Sequence, residues 1–273
     1  MAHRAAVLGH PVSHSLSPLL HNTAYAALGL SQWTYVRREV AAEQLAGVVA
    51  QLDDEWRGLS LTMPLKEAAF DVAATVTDQA CEAGAINTLV RRDDGGWDGA
   101  NTDIVGIVRA VEHVDHRGAA TLLGSGATSR SAALALVELG VSEVVVAARN
   151  ADAAAEVVAL LGRHEVRAVH VPLERWARMP HRLVISTLAS AASAVTGEAV
   201  IEGGASLATT TLLDVVYADW PTPLARAAHD AGATVISGLD MLVHQAAEQV
   251  RLFTGLSPSV EGMFAAARDA VAG

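Results

Sequence analysis

Lysine is nearly missing from this chain. Of its 19 basic residues only Lys66 is a lysine, and the other eighteen are arginines. Arginine stays protonated at any accessible pH, whereas a lysine amine can be tuned to release and recover a proton. The lone lysine is therefore either a compositional accident on a solvated surface or a group kept for its chemistry. Cysteine is as scarce: Cys81 stands alone, which excludes an intrachain disulfide and points to a reducing compartment. Cys81 itself reads as a small buried hydrophobe. Aromatic residues make up 4% of the 273 residues against 51% hydrophobic, so the expected core is ample but built from Ala, Val and Leu. The arginines form no basic run and the formal net charge is −11, which argues against nucleic acid as a partner. Every apolar stretch is broken well short of the ~20 residues a membrane helix needs. The N-terminus enters "RAAVLG" almost at once, without a leader pattern. These absences lead to the expectation of a soluble, cytoplasmic globular protein without a membrane partner.

What is present is an alternation of short Val/Leu/Ile-rich runs with longer Ala-rich segments, the pattern of an α/β fold. "RAAVLG", "WTYVRREV", "GLSLTM" and "GAINTLVRR" read as strands. "SPLLHNTAYAALGL" reads as a helix with Ser17 as cap and Pro18 at its first position. "DDGG" marks a hairpin turn leading to "WDGANTD", and a helix starts near Asp103. Beyond it the strands "AATLLG", "SEVVVAAR", "LVIST", "TLLDVVY" and "TVISG" alternate with helices, as in a buried parallel sheet. The helices "LDMLVHQAAEQVRLF" and "SVEGMFAAARDAVA" close the chain. No internal repeat or low-complexity linker interrupts it. Two α/β lobes are expected, the last two helices returning to the first lobe or bridging both.

"TLLGSGATSRSA" puts Gly124 and Gly126 between a strand and a helix. The first glycine permits a tight turn, the second lets backbone approach a pyrophosphate, and the helix N-terminus offers N–H groups to the phosphates. Ser129 stands at the third glycine position of that fingerprint. The next strand ends in Arg149 and Asn150, where an NAD site has Asp or Glu and an NADP site has Arg nearby. Arg130 can add a second positive charge, and Asp152 reads as a helix-start residue. The balance favours NADP, the alternative being that Arg149 is a solvated strand end.

"GHPVSHSLSPLLHN" is dense in small hydroxyls. Ser15 and Ser17 lie two apart, so an extended segment turns both to one side, suiting a carboxylate or polyol ligand. The competing reading is that both are capping residues. His10 and His14 stand four apart but at a strand-to-helix junction rather than on a helix, and no cysteine supports them or His21, so no metal is expected.

Taken together, "GHPVSHSLSPLLHN", "SLTMPLK", "GAINT", "GANTD", "GSGATSR", "LLDVVYADWPTPL" and "GLDMLVHQA", in this order and spacing, resemble the shikimate dehydrogenases over nearly the whole chain. The resemblance implies an α/β protein of two domains, substrate-binding over 1–103 and 239–273 and Rossmann-type, doubly wound and NADP-binding over 104–238. The C-terminal helices return to the first domain. It implies reversible reduction of 3-dehydroshikimate to shikimate by NADPH, in the shikimate pathway of aromatic amino-acid biosynthesis, by a monomer or homodimer. By the same resemblance Ser15 and Ser17 hold the substrate carboxylate with Tyr217. Thr62, Asn87, Asp103 and Gln245 bind the ring hydroxyls, and Lys66 with Asp103 forms the catalytic pair. Cofactor contacts are implied at Gly124, Ser125, Gly126, Ala127 and Thr128, at Arg130, Arg149 and Asn150, at Thr187, and at Gly238 and Met241 in the nicotinamide pocket.

The chain departs from the family pattern at Ser60, commonly Asn, at Ala127, often a third glycine, and at Ala148-Arg149-Asn150, usually Asn-Arg-Thr. The second basic residue that often follows is absent. Chemically, a ketone reduction needs a hydride at carbon, carried by the cofactor, and a proton at oxygen from a donor within hydrogen-bond reach. A lysine held by an aspartate fits that second role. Two other readings remain: a quinate/shikimate dehydrogenase preferring NAD, and a non-catalytic dinucleotide sensor on the same scaffold.

Overall fold

The computed structural model describes residues 2–178, 182–204, 206–218 and 220–272. The chain forms two compact units, one of residues 1–106 and 242–273 and the other of residues 107–241.

Unit 1 runs through β1 (His3–Gly9), α1 (Ser17–Ala27), β2 (Trp33–Glu39), α2 (Leu45–Ala50), β3 (Trp56–Leu61), α3 (Leu65–Ala68), β4 (Thr75–Val76), α4 (Asp78–Ala83), β5 (Thr88–Arg91) and β6 (Trp97–Ala100). Its six strands order β2-β1-β3-β5-β6-β4. β1 is flanked by parallel partners on both sides and its Ala5–Gly9 stretch is fully buried. A strand covered on both faces reads as a continuous apolar run rather than an alternation. β5 and β6 form the antiparallel hairpin signalled by "DDGG", with Arg91 opposite Trp97 and Gly95 at φ +88° in the turn. Leu8, Leu59, Leu61, Leu65, Ile86, Leu89 and Trp97 meet in the core beneath one sheet face. The aliphatic composition expected from the sequence is what fills it.

Three local readings are corrected. Ser17 does not cap α1: the helix starts at Ser17 itself, Leu16 precedes it in an αR conformation (φ −82°, ψ −5°), and no side chain caps it. Ser15 takes that part instead, its Oγ accepting from the Ser17 N–H at 3.2 Å. Because Leu16 is not extended, the two serines are not related by strand geometry. The strand expected over "GAINTLVRR" begins only at Thr88, because the Ile86 N–H is drawn to the Lys66 carbonyl (2.8 Å). Cys81 is exposed; on the short helix α4 it is Ala80 and Ala83 that face inward.

The chain leaves unit 1 inside α5 (Asp103–Val111), after Gly106, and re-enters it inside α10 (Gly238–Thr254), at Leu242. Each junction lies about one helical turn past the helix start. Between them unit 2 comprises β7 (Ala119–Leu123), α6 (Ala127–Glu138), β8 (Glu143–Ala148), α7 (Ala151–Arg163), β9 (Arg167–Pro172), β10 (Leu183–Ser186), α8 (Ser190–Gly203), β11 (Thr211–Asp214), α9 (Pro223–Asp230) and β12 (Thr234–Ser237). All its strands are parallel, in the order β12-β11-β10-β7-β8-β9. This is the doubly wound order of a Rossmann-type domain, with its switch point between β7 and β10. β9 escapes a sequence reading because it is the sheet edge: Arg167 and His170 interrupt its apolar run and its burial is partial. A final helix, α11 (Val260–Ala272), packs on α1 in unit 1.

His21 on α1 is fully buried and stacks on Tyr35 of β2, ring centroids 3.8 Å apart and 18° from coplanar. Its Nδ1 lies 2.9 Å from the Ser17 carbonyl, which can only accept, so Nδ1 carries the proton in the neutral ring. Burial lowers its pKa from 6.5 to about 4. The unfolded chain therefore binds this proton first as pH falls. The stability His21 contributes is complete above pH 6.5 and is lost as pH drops toward about 4. That linkage is worth about 3 kcal/mol at 1.36 kcal/mol per unit. His21→Phe, which keeps the stacked ring, should show a correspondingly shallower fall in urea midpoint between pH 7 and pH 4 than the parent. Parallel curves would mean that His21 does not titrate on unfolding.

Candidate active site

The topology of unit 1 brings the chemical residues to one sheet end. β1, β3 and β6 run in the same direction, and β5 runs against them. The segments leaving the carboxyl ends of β1, β3 and β6, and the one entering β5, therefore share one edge. They carry respectively Ser15 and Ser17, Thr62 and Lys66, Asn101–Asp103, and Asn87. The carboxyl ends of strands are where α/β folds place ligands.

At this edge Lys66 Nζ donates to Asp103 Oδ2 at 2.5 Å, with side chains 14% and 7% exposed. Asp103 is held from the other side by Asn87, whose Nδ2 donates to Oδ1 at 2.8 Å. Asn87 Oδ1 accepts from the Thr102 backbone N–H (2.7 Å), the Thr88 hydroxyl (2.8 Å) and the Thr102 hydroxyl (3.1 Å). Thr102 Oγ1 also reaches Gln245 Oε1 at 3.4 Å, and the Gln245 amide donates to the Leu242 carbonyl at 3.1 Å. Asn101 braces the start of α5: its Oδ1 accepts from the Asp103 N–H at 3.1 Å and its Nδ2 donates to the Ala85 carbonyl at 2.9 Å. Buried ions survive only when paired and hydrogen-bonded, and here every contact on Asp103 comes from a donor.

Lys66, Asn87, Asp103 and Gln245 thus belong to one network. Thr62, half-buried, supplies the carbonyl that accepts from the Leu65 N–H at 2.8 Å, opening the short helix that carries Lys66. Ser17 is buried at the start of α1, and Ser15 precedes it. Tyr217 lies in unit 2, in the segment after β11. Ser60, one of the departures from the family pattern, is buried: it accepts from the Tyr35 phenol at 2.6 Å and donates to Gln249 at 2.7 Å. Sequence reasoning missed Thr88, Thr102 and Gln249. The first two sit inside the quoted motifs "GAINT" and "GANTD", and Gln249 is one helical turn past Gln245, a spacing that puts both on one face of α10.

In unit 2 the turn after β7 has Gly124 at φ +114°, a left-handed conformation. A Cβ there would meet Thr187 Oγ1 at 2.5 Å and Ser129 Oγ at 3.0 Å, whereas one on Gly126 would meet nothing within 4 Å. Ser129, at the third fingerprint position, stitches this turn. It accepts from the Gly126 N–H at 3.1 Å and lies 2.6 Å from Thr187 Oγ1. Because Thr187 donates to the Leu123 carbonyl (3.0 Å), Ser129 is the donor in that pair. Ala127 and Thr128 open α6, with Arg130 one turn in and Ser125 in the turn itself. At the end of β8 Arg149 is exposed, and nothing among the described residues pairs with its guanidinium. The Asn150 side chain caps α7, accepting from the Asp152 and Ala153 N–H groups at 3.1 Å. Gly238 is required by backbone, since a Cβ would lie 2.0 Å from the Val215 carbonyl oxygen, and Met241 is buried on α10. A glycine turn open at Gly126, a helix N-terminus and an unpaired arginine at the neighbouring strand end fit a phosphorylated dinucleotide.

Gly124→Ala should therefore lower the melting temperature and weaken dinucleotide binding together, at a backbone cost of about 1–3 kcal/mol. Gly126→Ala should weaken binding at an unchanged melting temperature. Equal melting shifts in the two variants would show that the turn is purely structural.

Comparisons with known proteins place the chain in a family. Residues 7–89 match the family model of the shikimate dehydrogenase substrate binding domain, and residues 238–268 match the shikimate 5'-dehydrogenase C-terminal domain. An NADP(+) shikimate dehydrogenase of Thermus thermophilus is 39% identical, with 98% of each chain covered. One from a Synechococcus species is 36% identical over 97% of this chain and 93% of its own. The crystal structure of Mycobacterium tuberculosis shikimate dehydrogenase superposes with a TM-score of 0.88 at 43% identity, covering 98% of this chain and 99% of that one. The Thermus thermophilus enzyme in complex with NADP(H) and shikimate gives a TM-score of 0.84 at 35% identity, covering 98% and 99%. With full-length relatives at this identity, and both family models matching, the chain belongs to the shikimate dehydrogenase family.

Proposed function

We propose that this chain is an NADP-dependent shikimate dehydrogenase, reducing 3-dehydroshikimate reversibly to shikimate in aromatic amino-acid biosynthesis, and that it works in the cytoplasm as a monomer or homodimer. The observation that carries the reading is the buried Lys66–Asp103 pair at 2.5 Å, braced by Asn87. Unit 1 holds the substrate and unit 2 the dinucleotide. When bound, NADPH supplies the hydride to the carbonyl carbon. Everything else falls to side chains. Ser15, Ser17 and Tyr217 anchor the carboxylate, while Thr62, Asn87, Asp103 and Gln245 orient the ring hydroxyls.

The proton comes from Lys66. Asp103 accepts at both oxygens, from Lys66 and from Asn87, so Lys66 is the donor of the pair. The ammonium of Lys66 passes a proton to the oxygen as the hydride reaches carbon, and Asp103 holds the amine in register. In the oxidative direction the neutral amine takes the hydroxyl proton back. On the dinucleotide side, Arg149 and the lack of an acid at the end of β8 support NADP over NAD. Asn150, its side chain committed to the α7 cap, is left with its backbone and remaining amide for any cofactor contact. A sensor would have no need of the Lys66 network. Following nicotinamide absorbance with shikimate or quinate against NADP⁺ or NAD⁺ separates these three readings.

Lys66→Arg preserves charge but not the ability to exchange a proton near neutrality. General acid–base catalysis contributes typically ~10²–10⁴-fold, so turnover should fall at least ~100-fold, about 2.7 kcal/mol of transition-state stabilisation, with NADP⁺ affinity unchanged. Full turnover in this variant would remove Lys66 from the mechanism. Arg149→Ala should cost roughly 1.5–3 kcal/mol of NADP⁺ binding, about 10- to 150-fold, and leave NAD⁺ nearly unaffected. Equal losses for both cofactors, measured by fluorescence titration, would shift the phosphate contact to Arg130.

A further inference from the structure

The Lys66–Asp103 pair is the end of a longer chain of buried side chains whose direction can be worked out from one backbone group. The Thr102 N–H can only donate, and it donates to Asn87 Oδ1 at 2.7 Å; the other end of the amide, Nδ2, must therefore face Asp103. Thr88 Oγ1 lies 2.8 Å from the same Asn87 oxygen, so the Thr88 hydroxyl proton is used there and its oxygen can only accept elsewhere. Gln249, 3.0 Å away, must present Nε2 to it. Gln249 Oε1 then faces Ser60, which donates at 2.7 Å, and the Tyr35 phenol must donate to Ser60 at 2.6 Å. Every donor from Tyr35 through Ser60, Gln249, Thr88 and Asn87 points toward the Asp103 carboxylate. Hydrogen bonds aligned head to tail polarise one another. Ser60, Asn87, Thr88, Asp103 and Gln249 are all buried, Gln249 to 1% exposure, so water does not substitute for a missing link.

We infer that Gln249 is a positioning residue for the reacting pair: it ties α10 to β3 and β5 and, acting through Thr88 and Asn87, keeps Asp103 aimed at Lys66. The inference rests on Lys66 and Asp103 being the reacting pair, as proposed above. It differs from a packing role in requiring a donor at one end of the side chain and an acceptor at the other. A glutamic acid in its neutral form meets that requirement and a glutamate does not. The titratable groups around position 249 are His21 and Tyr35, with Tyr25 beyond them, and Lys66 and Asp103 at the far end of the chain. His21 is held neutral down to about pH 4, and burial pushes the Tyr35 phenol up. Neither changes charge between pH 5.5 and 9.

The test compares Gln249→Leu and Gln249→Glu with the parent, as the ratio of variant to parent kcat from pH 5.5 to 9. The single lysine adds a second readout: ¹⁵N-lysine labelling gives one side-chain Nζ resonance, from Lys66, without any need of turnover. Gln249→Leu should lower kcat about 5- to 10-fold at every pH, the equivalent of one neutral hydrogen bond, and displace the Nζ resonance. Gln249→Glu should match it at high pH and recover toward the parent in both readouts as the introduced carboxyl is protonated, a buried carboxyl having a raised pKa. A Gln249→Leu kcat equal to the parent's, or a Gln249→Glu ratio that does not change with pH, with the Nζ resonance unmoved, overturns the inference. If the Gln249 variants do not fold, the neighbouring link decides: Thr88→Val should reproduce the loss and Thr88→Ser should restore it, and equal activity in those two is also fatal. A parent that does not reduce NADP⁺ with shikimate defeats the proposed function, and the Nζ resonance then decides this inference by itself.

Discussion

The hydrogen bond from the Thr102 backbone N–H to Asn87 orders the whole of the candidate site. A side-chain amide can be turned either way; a backbone N–H cannot, so one contact of 2.7 Å sets which end of Asn87 meets Asp103. The contact exists because the β5–β6 hairpin pairs Thr88 with Ala100, bringing the residue before one strand beside the residues after the other. A slip of one residue in that register would turn the alternate side chains over and put Asn87 out of reach. The turn at Gly95 and the Trp97 side chain in the core are thus as much a part of the candidate site as its chemical residues.

Unit 2, on the proposed reading, solves a different problem, the holding of backbone open for the phosphates of a dinucleotide. Its third fingerprint glycine is replaced by Ser129, yet the turn closes because the serine hydroxyl joins Gly126, at one side, to Thr187, at the other. Thr187 in turn reaches back to the strand through the Leu123 carbonyl. The substitution therefore exchanges glycine's small size for a hydrogen-bonded brace. The cofactor contacts implied at Thr187, Asn150 and Gly238 each coincide with a structural duty: bracing the turn, capping α7, and allowing Val215 to approach. A residue with such a duty can still border a ligand, but its identity alone is not evidence for one. Arg149 differs in that nothing among the described residues occupies it.

The strands of the second unit were legible because a buried parallel strand is a short, uninterrupted apolar run. β9 was not, since an edge strand mixes polar and apolar residues and loses that pattern. At the first unit, one lysine and paired hydroxyls stood out by type, while Asn87 and Asp103 were implied only by the family resemblance. Their partners were marked by neither. Thr88 and Thr102 looked like ordinary strand-flanking threonines and Gln249 like a helix-face polar residue, because donor and acceptor roles depend on neighbours up to 189 positions apart in the chain, as for Ser60 and Gln249. Ser17 was misread as a cap for a local reason. The backbone at Leu16 had already entered the helical region, and the cap-like bond passed to Ser15.

By itself the sequence determined the class of fold, its two α/β lobes, the glycine turn with its neighbouring arginine, and the single lysine able to exchange a proton. All of these follow from periodicity, composition and side-chain chemistry, which are properties of a residue and its near neighbours. The tertiary structure decided which atoms meet. It put Asp103 on Lys66, turned the Asn87 amide, buried Gln249 between Ser60 and Thr88, and left Cys81 outside. Hydrogen bonds act over about 3 Å, while the residues they join here are brought together by sheet order and helix packing. No local pattern encodes such a distance, and only the folded chain supplies it.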